Sequence, residues 1–207
     1  MIDARLRPVL AGPLDRLAAG LDRPWITPGR LTAAGLALGL AASVAAAAGL
    51  WWWALAGWLL SRLADGLDGP LARRRDTASP LGGFLDIVAD FTVYGAFVAG
   101  VAVGVDGSAT PFLVLLVAYY VNGAALLAYS SIAERLGRDR GDERSLHFLG
   151  GLAEGAETVA VHSLFCLFPG VAGPIAWVWA AVVAVTAGQR VVYAVRTLSD
   201  PDWRPTR

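Results

Sequence analysis

Four aspartates interrupt otherwise apolar sequence, and their spacing is regular. Asp65 and Asp68 are three residues apart, and Asp86 and Asp90 four apart. Either spacing sets both carboxylates of a pair on one helical face. An aspartate at the centre of a membrane-crossing helix costs about 2.5–3.5 kcal/mol to insert, so a group of four points to a site that repays the cost. Facing one another, four carboxylates cannot all stay ionised without a counter-charge. Hard divalent cations such as Mg²⁺ or Mn²⁺, bound through oxygen and keeping positions open for phosphate, supply that charge. The residues between the pairs suit a phosphorylated ligand. Gly66, Gly69 and Ala72 leave a cleft beside one helix, Arg73 can grip phosphate oxygens with both arms of its guanidinium, and Gly82 and Gly83 open the start of the next helix. The bland alternative pairs Asp65 with Arg62 and Asp68 with Arg73 as charges snorkelling to a membrane face, and leaves Gly66 and Gly83 to close packing.

The elements that carry these residues are read from composition. The chain has 207 residues, 56% apolar and 16% charged, which places it among membrane proteins. Stretches of roughly 20 apolar residues, enough to cross a bilayer, fit at 30–50, 52–73, 82–104, 110–134, 148–168 and 172–196. The expected fold is all-α and integral to the membrane: six transmembrane helices preceded by an amphipathic helix at the interface. The divisions are a juxtamembrane segment 1–27, a catalytic bundle 28–198 and a tail 199–207. All seventeen basic residues are arginines. They gather before the first span, at the end of the second, between the fourth and fifth and after the sixth, whereas the other three connections have none. The positive-inside bias therefore puts both termini in the cytoplasm; the Ala-, Gly- and Arg-rich, lysine-free composition goes with a GC-rich bacterial genome, so the expected location is a bacterial inner membrane. With spans two and three antiparallel, Asp68 lies level with Asp86 and Asp65 with Asp90, roughly 8–13 Å below the interface.

Residues 1–24 place Leu6, Val9, Leu10, Leu14, Leu17 and Leu21 near helical spacing with arginines between, as in a helix lying on a membrane surface; Pro8 and Pro13 count against its continuity. No cleavable leader is expected. Cys166 is the single cysteine and reads as packing.

The segment from Asp65 to Asp90, DGLDGPLARRRDTASPLGGFLDIVAD, fits D-x2-D-G-x2-A-R-x8-G-x3-D-x3-D at every fixed position and resembles the signature of the CDP-alcohol phosphotransferases. Two different Asp spacings make the match specific. The resemblance implies six spans with cytoplasmic termini. It also implies that Asp65, Asp68, Asp86 and Asp90 form a site for two divalent ions, with Asp90 as general base, and that Gly69, Ala72, Arg73 and Gly82 accommodate the CDP group. The family often carries a Pro-Asn pair followed by Thr before span one; here Pro28, Gly29 and Thr32 occupy that region, so Thr32 joins the nucleotide set without the Asn. The implied reaction moves a substituted phosphate from a CDP-linked donor to an alcohol, releasing CMP; the donor is CDP-diacylglycerol above all, the alternative being a water-soluble CDP-alcohol with diacylglycerol as acceptor. A homodimer is also implied.

The acceptor that the resemblance implies is a small alcohol or alcohol phosphate. Arg135, Arg138, Arg140 and Arg144 can hold an acceptor phosphate or can act as topogenic charges near anionic lipid. Glu154 and Glu157, three apart near the start of span five, either orient acceptor hydroxyls or pair with Arg144 or Arg190. His162 reads as core. Trp51, Trp52, Trp53, Trp177 and Trp179 read as an interfacial aromatic belt. Membrane lipids are expected partners and nucleic acid is not. The rival reading is a divalent-cation transporter or binding protein. It needs polar groups continuing toward the far face, where spans two and three offer little beyond Thr92 and Tyr94. A catalytically idle scaffold that keeps the motif is a second rival.

Overall fold

The computed structural model describes residues 2–135 and 152–199, with side chains from residue 11 onward. These residues form α1 (Ile2–Gly20), α2 (Pro28–Ala47), α3 (Trp51–Arg74), α4 (Pro80–Gly104), α5 (Thr110–Arg135), α6 (Gly155–Leu167) and α7 (Ala172–Leu198), with a 3₁₀ turn, Pro169–Val171, before α7. No strand occurs among the described residues.

Local chemistry sets the helix ends that matter for the site. Thr27 caps α2 by accepting a hydrogen bond from the Arg30 amide (3.3 Å), with Pro28 at the first helical position. Ser79 and Pro80 do the same for α4, Ser79 Oγ accepting from the Gly82 amide at 3.1 Å. Between α3 and α4 the chain turns through Asp76 at φ 53°, a left-handed position that Asp tolerates better than most residues.

Four helices are long and apolar enough to cross a membrane: Pro28–Ala47, Pro80–Gly104, Thr110–Arg135 and the segment Pro169–Leu198. The other two expected spans differ for separate reasons. Helix α3 is long enough, with 24 residues or about 36 Å, but its second half carries Arg62, Asp65, Asp68, Arg73 and Arg74. Helix α6 has 13 residues and reaches only about 20 Å. Helix α1 runs unbroken through Pro8 and Pro13. Its Ala18 is buried with Leu67 and Leu71 of α3, and Leu14 packs on that cluster and over Gly66. The tryptophan belt is partial: Trp52, Trp53 and Trp177 are exposed, but Trp179 is buried and donates from Nε1 to the Tyr119 hydroxyl at 2.7 Å.

Helix α2 organises the bundle. Its buried residues are all small: Gly35, Gly39, Ala42, Ser43 and Ala46. This stripe lets α2 pack along both α3 and α4, while α5 packs on α7 and α6 sits against α3. A Cβ on Gly100 of α4 would fall 2.2 Å from the Ser43 carbonyl oxygen, and one on Gly104 would fall 1.9 Å from that of Ala46. Helices α3 and α4 stand further from each other than either stands from α2, and large side chains fill part of the interval. Trp58 stacks on Phe97 with centroids 4.7 Å apart, and His162 of α6 lies 4.7 Å from Trp58. All three are completely buried.

Outside the spans, Asp22 clasps the α1–α2 link to the end of α3. Arg75 Nε donates to its carboxylate at 2.7 Å and Arg74 Nε at 3.2 Å. Arg75 also donates to the carbonyls of Ile26 and Arg23. The hydrogen bond from Arg75, helped by Arg74, holds the Asp22 carboxyl below its ordinary range. A depressed carboxyl contributes stability that is complete above the unfolded-state value and is lost as pH falls through the folded one.

Two predictions follow from this packing. Gly100→Val should overpack the α2–α4 contact by about 2 kcal/mol or more, read as a drop of several degrees in the melting temperature of detergent-solubilised protein. The melting-temperature difference between wild type and Asp22→Asn should stay constant near neutral pH and shrink only below about pH 4, where free aspartate protonates.

Candidate active site

Helices α3 and α4 run antiparallel from the turn at Asp76. Asp68 lies six residues from the end of α3 and Asp86 six from the start of α4, about 9 Å along each axis. Asp65 and Asp90 lie nine and ten residues in, about 14–15 Å. The expected pairing of levels is what the helices deliver. Asp65 is within electrostatic range of Asp90 and Asp86, and Asp86 within range of Asp68 and Asp90. Asp68 is buried, and the side chains of Asp65 and Asp90 keep 26% and 32% of their surface open, so the cluster is reachable from one side.

Two groups hold the carboxylates in place. Thr32 of α2 donates its hydroxyl to Asp68 Oδ2 at 2.6 Å, which ties the first membrane helix to the cluster. Arg62, one turn before Asp65, sends Nη1 to Asp90 Oδ1 across the α3–α4 interval and lies 3.8 Å from Asp65 Oδ2. Its Nη2 donates to Ser61 Oγ at 3.0 Å, and Ser61 in turn donates to the Gly35 carbonyl at 2.6 Å. The guanidinium carbon sits 5.2 Å from the Trp58 ring centre and 4.9 Å from that of Tyr94, within cation–π range of both. From spacing alone Arg62 reads only as a snorkelling partner of Asp65. The available signal was an arginine placed four residues after Trp58 on the aspartates' own face, but its cross-helix partner Asp90 is not readable from spacing within α3.

Among the described residues, no three or more His, Cys, Asp or Glu side chains stand as a ready ion cage, because Asp90 is turned to Arg62 and Asp68 to Thr32. The donor set still fits a hard divalent ion. All four groups are carboxylates, they lie within reach of one another, and Arg62 offsets one of their four charges, which leaves an excess of three when all are ionised.

The remaining candidates divide. Gly69 and Arg73 lie together: a Cβ on Gly69 would meet Arg73 Nη1 at 3.4 Å. Arg73 is exposed and Ala72 half-buried. Gly82 occupies the capped first turn of α4, and a Cβ there would press on Ser79 Oγ at 3.3 Å. Glu154, buried at the start of α6, lies within electrostatic range of the buried Arg190 of α7. Glu157 is half-buried in the first turn of α6. Arg135 is exposed at the end of α5. Arg138, Arg140 and Arg144 lie outside the described residues. His162 belongs to the core, as expected, with Nε2 3.0 Å from the Tyr119 hydroxyl.

The chain resembles known proteins in sequence and in fold. The chain is 38% identical to the inner membrane protein YnjF of Escherichia coli K12, over 96% of this chain and 97% of that one. It is 31% identical to the phosphatidylinositol phosphate synthase of Mycobacteroides abscessus, over 87% and 82% of the two chains. The crystal structure of Mycobacterium tuberculosis phosphatidylinositol phosphate synthase (PgsA1) with CDP-DAG bound shares the fold at a TM-score of 0.71 and 20% identity, covering 94% of this chain and 98% of that one. The same enzyme in complex with manganese and citrate gives 0.70 at 22% identity, covering 94% and 93%. The family model for CDP-alcohol phosphatidyltransferase matches residues 25–188, a range that contains every one of the four aspartates, and the chain therefore belongs to that family.

Proposed function

We propose that this protein is a phospholipid-synthesis enzyme of the bacterial inner membrane that transfers a substituted phosphate from CDP-diacylglycerol to an alcohol acceptor and releases CMP. The observation that carries this reading is the meeting of four carboxylates from α3 and α4, at paired depths, with one buried arginine between them. Asp65, Asp68, Asp86 and Asp90 would hold two divalent ions, Mg²⁺ or Mn²⁺. When bound, such ions neutralise the diphosphate of the donor and stabilise CMP as it departs.

The chain's own residues do the rest. Thr32 orients Asp68, so the α2 end of the cluster is set before any ligand arrives. Gly69 and Ala72 leave room for the nucleotide beside α3, Arg73 meets a phosphate oxygen, and Gly82 keeps the start of α4 clear. Asp90 takes the proton of the acceptor hydroxyl as the oxygen attacks phosphorus in line. Arg135, Arg138 and Arg144 receive the phosphate of an alcohol-phosphate acceptor, with Glu154 and Glu157 toward its hydroxyls. A phosphorylated acceptor agrees with the relatives named phosphatidylinositol phosphate synthase and archaetidylinositol phosphate synthase. In this reading α2 to α7 all lie within the membrane, α3 and α6 included, because their neighbours shield α3's charges and complete α6's depth. Both termini are cytoplasmic, α1 lies on the inner face, and the enzyme works as a homodimer.

The transporter reading fares worse for a specific reason. Past the aspartates, the interval between α3 and α4 is filled by Trp58, Phe97 and His162, all fully buried, so a cation entering the cluster meets packed rings rather than further carboxylates.

Purified protein with Mg²⁺ or Mn²⁺ should release CMP from CDP-diacylglycerol when screened against glycerol 3-phosphate, inositol phosphate and their unphosphorylated forms, with a phosphorylated acceptor giving the highest rate. Asp90→Asn should lower that rate by about 10²-fold or more, the usual contribution of a general base, with an unchanged gel-filtration profile. Failure of every CDP-linked donor to bind the metal-replete protein would sink the assignment. Thr32→Val removes one hydrogen bond to a charged group, worth about 1.5–3 kcal/mol, and should lower the melting temperature of the metal-free protein by several degrees and weaken Mn²⁺ binding about tenfold as Asp68 loses its fixed orientation.

A further inference from the structure

We propose that Arg62 is a built-in counter-cation of the aspartate cluster: a positioning residue that balances Asp90 and Asp65 before any ion binds and thereby sets how loosely the site grips a divalent cation. The inference rests on the metal reading above and adds to it a residue outside the aspartate motif.

Three observations carry it. The first is contact: one nitrogen of Arg62 bonds Asp90 on α4 and faces Asp65 on α3 at 3.8 Å, so a single guanidinium joins the two helices at the deeper level of the cluster. The second is fixity. The Arg62 side chain is only 8% exposed, its guanidinium lies against the rings of Trp58 and Tyr94, and its other terminal nitrogen is held by Ser61. The third is incompleteness. The Nε of Arg62 is buried without a hydrogen-bond partner, so its hydrogen bonding is incomplete while its charge contacts with Asp90 and Asp65 are kept.

The consequence is electrostatic. With no ion bound, Arg62 keeps four close carboxylates from repelling α3 and α4 apart. With an ion bound, a fixed positive charge remains beside two of the ligands and opposes the incoming double charge. Divalent binding is then an exchange, in which Asp90 and Asp65 loosen from Arg62 as the ion takes up their oxygens. Weaker binding suits a site in which a diphosphate donor must also share the ions and CMP must afterwards leave.

The test is Mn²⁺ binding to metal-stripped protein without donor or acceptor, read by electron paramagnetic resonance of the free ion, so that turnover plays no part. Arg62→Gln, and Arg62→Met, whose unbranched chain fills the slot between the two rings, should each bind Mn²⁺ at least about tenfold more tightly than wild type. Arg62→Lys keeps the charge without the stacked guanidinium and should bind Mn²⁺ less tightly than either neutral variant. The thermal shift on adding Mn²⁺ should be larger in the neutral variants, which start less stable and bind more tightly. A neutral variant that does not survive stripping is prepared with Mn²⁺ and titrated with a chelator, which yields the same constant. If both neutral variants are folded and bind Mn²⁺ no more tightly than wild type, Arg62 is scaffold only and the inference is overturned. If wild type itself binds no Mn²⁺, the metal reading under Proposed function is what fails.

Discussion

Negative charge gathered at two neighbouring levels between two helices is the constraint on which the rest of this structure depends. Asp65, Asp68, Asp86 and Asp90 repel one another most strongly where water is scarce, and a chain that places them together must supply compensation from elsewhere in its fold. Here it comes from three directions: a hydroxyl from α2, a guanidinium fixed against two aromatic rings, and a face left open to solvent and ligand. None is sufficient alone. A hydroxyl brings no net charge, one arginine offsets one carboxylate of four, and the open face lowers the cost of charge without cancelling it. The remaining imbalance is what the cation-assisted reaction proposed above would draw on.

The apolar packing can be understood as what that cluster demands. For α3 and α4 to face each other across a working distance, a third element must hold both, and α2 does so with a stripe of glycine, alanine and serine. Because the stripe is small, α2 comes within backbone contact of α4 at Ser43 and Ala46, opposite Gly100 and Gly104. Beyond the aspartates the interval closes over Trp58, Phe97 and His162. The polar end of the interval is partly exposed and the aromatic end is fully packed. On the polar side, the Asp22 clasp to Arg74 and Arg75 keeps the N-terminal helix against the end of α3, so the most charged turn of the bundle is bounded by the protein's own chain.

Family membership and geometry bear on different questions. Membership rests on the match across residues 25–188 and on relatives that extend over nearly the whole chain, and it names a class of reaction. The geometry concerns how the class is carried out here: which oxygen of Asp90 is engaged and which residue stands behind Asp68. The polar residues of the second half answer to another region of the fold. Glu154 faces Arg190, and this buried charge pairing gives the α6–α7 side a polar character that apolar helices do not require.

Much of the site was legible in the sequence because its information is local. Two aspartates three or four apart share a helix face whatever the rest of the chain does, and antiparallel helices joined by a short turn match depths by counting residues from that turn. The helix starts at Thr27-Pro28 and Ser79-Pro80 are equally local, since a cap needs only the next three amides. What tertiary structure alone decided is every relation between helices. The Arg62–Asp90 bridge, the Thr32–Asp68 hydrogen bond, the burial of Trp179 away from the interfacial belt and the shortness of α6 depend on how helices distant in sequence come to rest on one another. Hydrophobic periodicity marks a face as buried but not the partner that buries it, because the effect behind it is non-directional. Hydrogen bonds and ion pairs are directional and short-ranged, so they take their partners only after small residues such as Gly39 and Gly100 have fixed how closely the helices approach.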